Sequence, residues 1–247
     1  MKRVTIDERR QVFVAKTAEE AYEFCVHIFI EKAKKAIDAR SSFSVALAGG
    51  QTPQPFYEML AEPSSALMIN WPRLDLFWSD ERCVPPESPE SNYGNAMHYF
   101  STPPLDQAKK YRLIGENKES TKEYEKKLKK ICSEGRLDLM LLGIGDDGHT
   151  ASLFPNTEAL KENKRLVIPN YVPQKECWRL TMTFPAIDLA RNVYVLALGR
   201  GKSKILKKIF FGEYNYIETP AQRIGTKENP AFYIIDKKAA YGLGLKT

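Results

Sequence analysis

The stretch DLMLLGIGDDGHTASLFP, residues 138–155, begins as an apolar run and then breaks into glycines, two aspartates and a histidine. Such a run predicts a buried strand, and a polar loop directly after a buried strand is where parallel α/β proteins place their chemistry. The chain has three histidines, and His149 follows Asp147 across a single glycine. Because histidine exchanges protons near neutral pH, this pair predicts an acid–base loop.

Other apolar runs alternate with helix-like segments along the chain. The strands that this pattern predicts are residues 43–48, 74–78, 137–142, 178–183, 193–198 and 232–235. The predicted helices are residues 18–38, 53–60, 119–132, 202–210 and 236–243. Near-continuous apolar strands that alternate with helices favour an α/β fold with a parallel sheet covered on both faces. Residues 85–115 give no clear pattern of strands or helices. The sequence contains neither an internal repeat nor a long linker, which predicts a single domain, residues 1–247.

Composition limits the class of protein. Hydrophobic residues make up 43% of the chain, which suffices for a substantial core, and no apolar run approaches the roughly 20 residues that span a bilayer. Residues 1–20 are charged and polar, unlike a secretory signal, and the four cysteines are widely spaced. We therefore expect free thiols, no membrane association and a cytoplasmic protein.

The net charge of +6 raises the question of nucleic-acid binding. Lysines and glutamates in residues 119–130 alternate at spacings of three and four, which predicts ion pairs on a solvated helix face. A basic surface also attracts small anionic substrates. We expect a small-molecule substrate and no nucleic-acid partner, and the sequence leaves the oligomeric state open.

Glycines follow the predicted strand at residues 43–48. Gly49 and Gly50 precede Thr52, the expected N-cap of a helix that starts at Pro53. The N-terminus of a helix suits a phosphate, although a plain turn that needs small residues is the alternative. The loop lacks the lysine of a P-loop, which argues against a nucleoside triphosphate.

Charged residues follow two further predicted strands. Asp80 and Arg82 follow residues 74–78, where they form either a structural ion-pair cluster or a clamp in which the guanidinium binds phosphate. Lys202 stands at a predicted helix start, and Arg179 lies at a strand entry; each is either a ligand for phosphate or a solvated charge.

Gly143, Gly145 and Gly148 spell GxGxxG. The two aspartates between them would repel a pyrophosphate, so we expect no dinucleotide. The carboxyl ends of parallel strands meet at one edge of a sheet, where ligands bind. Glycine, acidic, basic and histidine groups at this edge predict acid–base catalysis on a small phosphorylated substrate, with neither a metal nor a redox cofactor.

These motifs resemble those of the 6-phosphogluconolactonase family. Residues 143–155 are similar to its signature, and residues 49–53, GGQTP, are similar to its GGSTP loop with glutamine in place of serine. Two further elements, its DERxVP…SN element and its aromatic strand with an Asp and Ala-Ala tail, extend the resemblance over residues 12–243. One departure is Lys175, which lies one residue away from the lysine position of the family.

The resemblance implies a Rossmann-like three-layer α/β/α fold without a cofactor. It also implies hydrolysis of 6-phospho-D-glucono-1,5-lactone to 6-phospho-D-gluconate, the second step of the oxidative pentose phosphate pathway. We expect His149 to be the general base and Asp147 to orient its ring. The residues expected to bind the substrate and its phosphate are Gly49, Gly50, Thr52, Asp80, Arg82, Lys202 and Arg179.

Two other functions fit parts of this pattern. Isomerases and deaminases of amino-sugar phosphates share the fold and a similar loop, but the continuation at residues 150–155 favours the lactonase. Sugar-phosphate sensors also share the fold. Such sensors are normally fused to a helix-turn-helix module, for which residues 1–20 are too short, and the presence of both Asp147 and His149 favours an enzyme.

Overall fold

The computed structural model describes residues 1–245. Its strands are β1 Lys2–Asp7, β2 Arg10–Ala15, β3 Phe43–Leu47, β4 Leu74–Trp78, β5 Asp80–Arg82, β6 Lys109–Lys110, β7 Leu139–Gly143, β8 Val167–Val172, β9 Cys177–Met182, β10 Val193–Ala197 and β11 Ala231–Asp236. Its α-helices are α1 Ala18–Arg40, α2 Gln54–Ala61, α3 Pro63–Ala66, α4 Asn92–Phe100, α5 Ser120–Ile131, α6 Phe184–Leu189 and α7 Ser203–Phe211. The predicted domain also includes residues 246–247, which lie outside the described residues.

The strands form two sheets. The larger has the order β1-β2-β11-β10-β7-β3-β4-β6, and all its neighbouring pairs are parallel except β1 with β2. Every residue of β3 and β4 is buried, as expected for central parallel strands covered on both faces. The predicted α/β class with a mainly parallel sheet is therefore confirmed.

The smaller sheet contains β5, β9 and β8 in antiparallel order. The chain leaves the large sheet at Ser79, whose N–H donates to the carbonyl of Leu47 and whose carbonyl accepts from Met182. Strand β5 then turns away to pair with β9. The small sheet consequently begins at the carboxyl end of β4, beside the edge where the polar loops emerge.

Most predicted elements occur within two residues of their expected ends, but two predictions are wrong. The strand expected at residues 178–183 as part of the parallel series is β9 of the antiparallel sheet, because an apolar run does not specify its partner. The helix expected at residues 236–243 is absent from the described chain, where Asp236 ends β11 and turns follow. The carboxylate of Asp236 accepts hydrogen bonds from the N–H groups of Gly199 and Ala239, and these bonds stabilise a turn in place of a helix.

The start of α2 also differs from the prediction. The helix begins at Gln54, and its N-cap is Pro53 rather than Thr52, without a capping side-chain bond. The reason is a turn in which the N–H of Gln54 donates to the carbonyl of Gln51 at 3.1 Å, so the helical ladder starts one residue later. Thr52 consequently lies outside the helix and lines the cavity described below.

Several elements were not predicted, namely β1, β2, β5, β6, β8, α3, α4 and α6. The β1–β2 hairpin carries polar side chains on its exposed edge strand, so it shows no apolar run. Strand β8 contains a proline and an asparagine, and α4 lies inside the segment that gave no pattern. At the start of α4, the hydroxyl of Ser91 accepts a hydrogen bond from the N–H of Gly94, so Ser91 is the N-cap. Serine also occurs in many turns, so its presence in the sequence did not indicate a helix start.

Helix α1 packs across β2, β3 and β11 and covers much of the core. On α5, the predicted ion pairs are confirmed for Glu119 with Lys122, Glu123 with Lys126, and Glu125 with Lys129, at 2.6–2.8 Å. No helix within residues 1–245 combines the length and the apolar character needed to cross a membrane.

Candidate active site

A cavity of about 370 Å³ opens at the carboxyl edge of the large sheet. This volume lies in the range of pockets that hold small molecules. Its walls come from the segments that follow β3, β4 and β7 and from the small sheet. The lining residues are Ala48, Gly49, Gly50, Thr52, Ser79, Asp80, Arg82, Asn92, Gly143, Ile144, Gly145, His149, Ala151, Ser152, Phe154, Lys175 and Arg179.

The imidazole of His149 forms part of this wall and is oriented by Asp147. Nδ1 of His149 lies 2.6 Å from Oδ1 of Asp147, and the backbone N–H of His149 donates to the same oxygen at 3.0 Å. A carboxylate at Nδ1 requires the proton on that nitrogen, so Nε2 of the neutral ring carries the free lone pair. The loop therefore holds an imidazole whose second nitrogen can accept a proton.

The loop between Gly145 and His149 closes tightly. The N–H of Gly148 donates to the carbonyl of Gly145, and the N–H of Gly145 donates to the carbonyl of His149. Gly148 has a φ of +85°, a conformation that glycine adopts without strain. A Cβ at Gly145 would lie 2.0 Å from Nδ1 of His149, so the absence of a side chain there is what lets the ring approach Asp147.

The partial exposure of Asp147 is compatible with its charged form. Burial raises the pKa of its carboxyl group, but the hydrogen bond and the charge of His149 outweigh burial and hold the pKa below the usual value. An ionised Asp147 supports an imidazolium at His149 whenever that ring takes up a proton.

Asp80 is buried in the opposite wall and is held by two side chains. The hydroxyl of Ser152 donates to its Oδ2 at 2.6 Å, and Nδ2 of Asn92 donates to its Oδ1 at 3.0 Å. Asn92 also donates to the backbone carbonyl of Asp80 at 2.9 Å. These bonds fix the carboxylate and join the segment that follows His149 to β5 and α4.

Its neighbour Glu81 points the other way and supports the start of α4. Its carboxylate accepts from the N–H groups of Asn92 and Tyr93 and from the hydroxyl of Ser91. Burial raises the pKa of Glu81, and the nearby Asp80 adds to this effect, while the backbone donors oppose it. The acidic pair of the sequence is thus divided: one carboxylate faces the cavity and the other caps a helix.

Two arginines are brought together by strand pairing. Arg82 of β5 and Arg179 of β9 lie opposite each other in the antiparallel register, so their side chains share one face of the small sheet and line the cavity. NH1 of Arg82 donates to the carbonyl of Glu90 at 2.6 Å. Nε and NH1 of Arg179 are buried and have no hydrogen-bond partner within residues 1–245.

The two lysines considered from the sequence are placed differently. Lys175, on the turn between β8 and β9, lines the cavity despite its shifted position in the sequence. Lys202 is not among the lining residues, and its Nζ lies 2.6 Å from Oδ1 of Asp146. The structure therefore brings Lys202 to the loop of His149 rather than to the cavity wall.

The loop after β3 contributes backbone rather than side chains. Gly49 and Gly50 line the cavity together with Thr52. Within residues 1–245, the N–H groups of Gly50 and Thr52 donate to no backbone carbonyl. Free N–H groups beside the start of a helix attract an anion, so this wall can hold a phosphate.

Sequence reasoning did not assign a role to Asn92, Ser152 or Phe154, which also line the cavity. The motifs contained all three, but their roles depend on contacts between distant segments, such as Ser152 with Asp80. In the described part of the chain, no three His, Cys, Asp or Glu side chains group so as to hold a metal ion. The absence of a cofactor stays a prediction.

Comparisons with known proteins agree with this architecture. A profile of the family described as glucosamine-6-phosphate isomerases/6-phosphogluconolactonase matches residues 16–233. The 6-phosphogluconolactonase of Chlamydia pneumoniae is 38% identical over 212 residues, which cover 85% of this chain and 82% of the relative. That of Haemophilus influenzae is 34% identical over 198 residues, covering 79% of this chain and 85% of the relative.

A solved structure is similar over nearly the whole chain. The 6-phosphogluconolactonase of Trypanosoma brucei superimposes with a TM-score of 0.82 at 27% identity and covers 94% of this chain and 98% of that protein. Little of either chain therefore lies outside the superposition.

Proposed function

We propose a function from one premise: the chain belongs to the glucosamine-6-phosphate isomerase/6-phosphogluconolactonase family. It hydrolyses 6-phospho-D-glucono-1,5-lactone to 6-phospho-D-gluconate, the second step of the oxidative pentose phosphate pathway. The observation that carries this proposal is the Asp147–His149 pair, whose ring lines a cavity that Arg82 and Arg179 also line.

His149 acts as the general base in this proposal. Nε2 accepts a proton from water as the water oxygen attacks the C1 carbonyl of the lactone. Asp147 holds the ring at Nδ1 and stabilises the imidazolium that forms. When the bond between C1 and the ring oxygen breaks, the ring oxygen takes the proton from Nε2, which returns His149 to its neutral form.

The phosphate is bound by groups from three segments. Gly49, Gly50 and Thr52 offer backbone N–H groups, and Arg82 and Arg179 offer guanidinium donors. The place of Arg179 in the cavity lining, opposite Arg82 in the strand register, supports its assignment. Binding this remote group holds the lactone in place for attack.

Lys202 and Asp80 have separate roles. Lys202 adds positive charge at the rim while it is paired with Asp146. Asp80 accepts hydrogen bonds from sugar hydroxyls with the carboxylate lone pairs that Ser152 and Asn92 leave available. The fixed carboxylate makes the site selective for a polyhydroxylated ring rather than for phosphate alone.

The proposal also covers the setting of the protein. We place it in the cytoplasm as one domain, residues 1–247, that acts on a small phosphorylated sugar lactone without a cofactor and without a nucleic-acid or membrane partner. The four free cysteines support a reducing compartment. Burial raises the pKa of Cys25 and of Cys132 to about 12, which keeps both thiols protonated and inert.

The direct test is hydrolysis of the lactone by the purified protein. The lactone is generated in situ from glucose-6-phosphate by a dehydrogenase, and its loss is followed with and without the protein. We expect loss well above the spontaneous rate. A rate equal to spontaneous hydrolysis contradicts the proposal.

A parallel assay addresses the other activity in the family. Glucosamine-6-phosphate is supplied to the same preparation, and the release of ammonia is measured. We expect none above the background. Ammonia release without acceleration of lactone loss assigns the protein to the deaminases instead.

A further inference from the structure

The ring of Phe154 lies against the face of the His149 imidazole. The two ring centroids are 4.0 Å apart and their planes meet at 19°, a stacked arrangement. Phe154 is 5% exposed and lines the cavity, whereas the side chain of His149 is 29% exposed. One face of the imidazole is thus covered by a nearly buried aromatic ring.

A tight turn brings these two residues together. The N–H of Leu153 donates to the carbonyl of Thr150 at 2.9 Å, and the hydroxyl of Thr150 donates to the carbonyl of Gly143 at 2.9 Å. Ala151 in this turn has a φ of 47°, a left-handed conformation that alanine seldom adopts. The chain therefore reverses after His149 and returns Phe154 beneath the ring, with its start tied to the end of β7.

We propose that Phe154 is a positioning residue that fixes the plane of the His149 ring, so that Nε2 stays directed at the bound lactone. This inference rests on the proposed function, in which Nε2 is the base. It adds a second constraint to the one supplied by Asp147.

Two constraints are needed because one hydrogen bond fixes one atom. The bond from Nδ1 to Asp147 sets the position of that nitrogen, but the ring plane can still tilt about it. A flat partner at 4.0 Å opposes the tilt, because stacked aromatic rings lose contact when their planes separate. The same ring excludes water from that face of the imidazole.

The test compares F154L and F154Y with the wild type. Leucine keeps an apolar side chain without a flat ring, so we expect kcat for lactone hydrolysis to fall about tenfold while KM stays within about twofold. Tyrosine retains the ring and is expected to keep most of kcat. The thermal midpoint of each variant shows whether it folds like the wild type.

Histidine NMR provides a readout that does not depend on activity. The chain has three histidines, so the ring C–H signals of labelled His149 can be assigned through H149N. We expect F154L to move these signals downfield, because the ring current of Phe154 is lost, and to leave those of His27 unchanged. The matched control is F24L: the ring centroids of Phe24 and His27 are 6.5 Å apart and neither residue lines the cavity, so this variant is expected to move only the His27 signals.

The possible outcomes distinguish the positioning role of Phe154 from the proposed lactonase activity. If the wild type hydrolyses the lactone and F154L has the same kcat, or if its His149 signals do not move, the positioning role is wrong and the proposed function stands. If F154Y loses as much kcat as F154L, the flat ring is not what matters and the inference also fails. If the wild type shows no lactone hydrolysis, the proposed function fails and takes the inference with it.

Discussion

His149 and Asp147 show what a local pattern can predict about single residues. Two titratable side chains separated by one glycine can meet only if the chain turns between them, and the turn at Gly148 achieves this. Their contact was therefore predictable from spacing alone. The stacking of Phe154 on His149 was not predictable from the sequence. It depends on the left-handed backbone conformation of Ala151, which alanine as a residue type does not indicate.

The charged residues of the site were harder to place, because the position of a residue in the sequence does not fix where its long side chain ends. Lys202 was expected to bind the phosphate, yet its ammonium group pairs with Asp146 and lies outside the cavity wall. Lys175 lines the cavity although its sequence position departs from the family. Side chains of this length reach several neighbours, so strand position alone does not decide between them.

Arg179 and Lys202 give a prediction at this scale. The variant R179Q removes a charged guanidinium from the cavity lining, so we expect KM for the lactone to rise at least about tenfold, as a charge-assisted hydrogen bond to phosphate is lost. K202Q is expected to raise KM by no more than about threefold, because the lysine is already paired. Steady-state kinetics of both variants make the comparison.

Equal KM values for R179Q and the wild type would remove Arg179 from the phosphate site. A rise that is larger in K202Q than in R179Q would show that Lys202 leaves Asp146 to bind the substrate.

The small antiparallel sheet is the element that completes the site. It supplies Arg82, Arg179 and, on its turn, Lys175, so the basic part of the cavity lining depends on how β5 pairs with β9. The apolar run of β9 was recognised in the sequence, but its partner was not, since β5 is three charged residues long. Pairing between distant segments is set by tertiary packing rather than by local propensity.

Helix α5 contacts the small sheet through Glu125. The carboxylate of Glu125 bonds to Lys129 at 2.8 Å and to Arg165, which lies just before β8. Burial raises the pKa of Glu125, but these hydrogen bonds and charges outweigh burial and hold it below 4.5, the value expected for the unfolded chain. The contact therefore contributes stability above pH 4.5, and this contribution is lost as the pH falls through the lower folded value.

The variant E125Q tests this contact. We expect it to lower the free energy of unfolding by about 1–2 kcal/mol at pH 7 and by less at pH 3, measured by urea denaturation. E123Q on the same helix is the matched control, because Glu123 pairs with Lys126 on the solvent side and is expected to leave the free energy of unfolding nearly unchanged. An equal loss in the two variants would contradict the role of Glu125.

At the scale of the whole molecule, alternation of strands and helices was enough to predict the α/β class and the mainly parallel sheet. It could not predict the order of the strands or the antiparallel β1–β2 hairpin at the sheet's edge, which packs beside β11 from the far end of the chain. One edge of the sheet is thus built from strands that are far apart in the sequence. Residue spacing carries no information about such contacts.

The proposed single domain predicts one cooperative unfolding transition. Trp178 lies in the small sheet, whereas the buried Trp78 ends strand β4 of the large sheet and the buried Trp71 precedes that strand. Two variants follow the two sheets separately: W178F keeps Trp71 and Trp78, and the double variant W71F/W78F keeps Trp178. In each variant, we expect the urea midpoint measured by tryptophan fluorescence to equal the one measured by far-UV circular dichroism. A transition of Trp178 that precedes the loss of circular dichroism would mean that the small sheet unfolds as a separate unit.

The measurement that tests the central claim most directly is the lactonase rate of H149N beside H27N and H98N. Asparagine removes the proton-accepting Nε2 of each histidine, and only His149 of the three lines the cavity. The account predicts that kcat falls at least about 100-fold in H149N, with KM within about threefold, while both controls match the wild type. An H149N enzyme with the kcat of the wild type would contradict the assignment of His149 as the base.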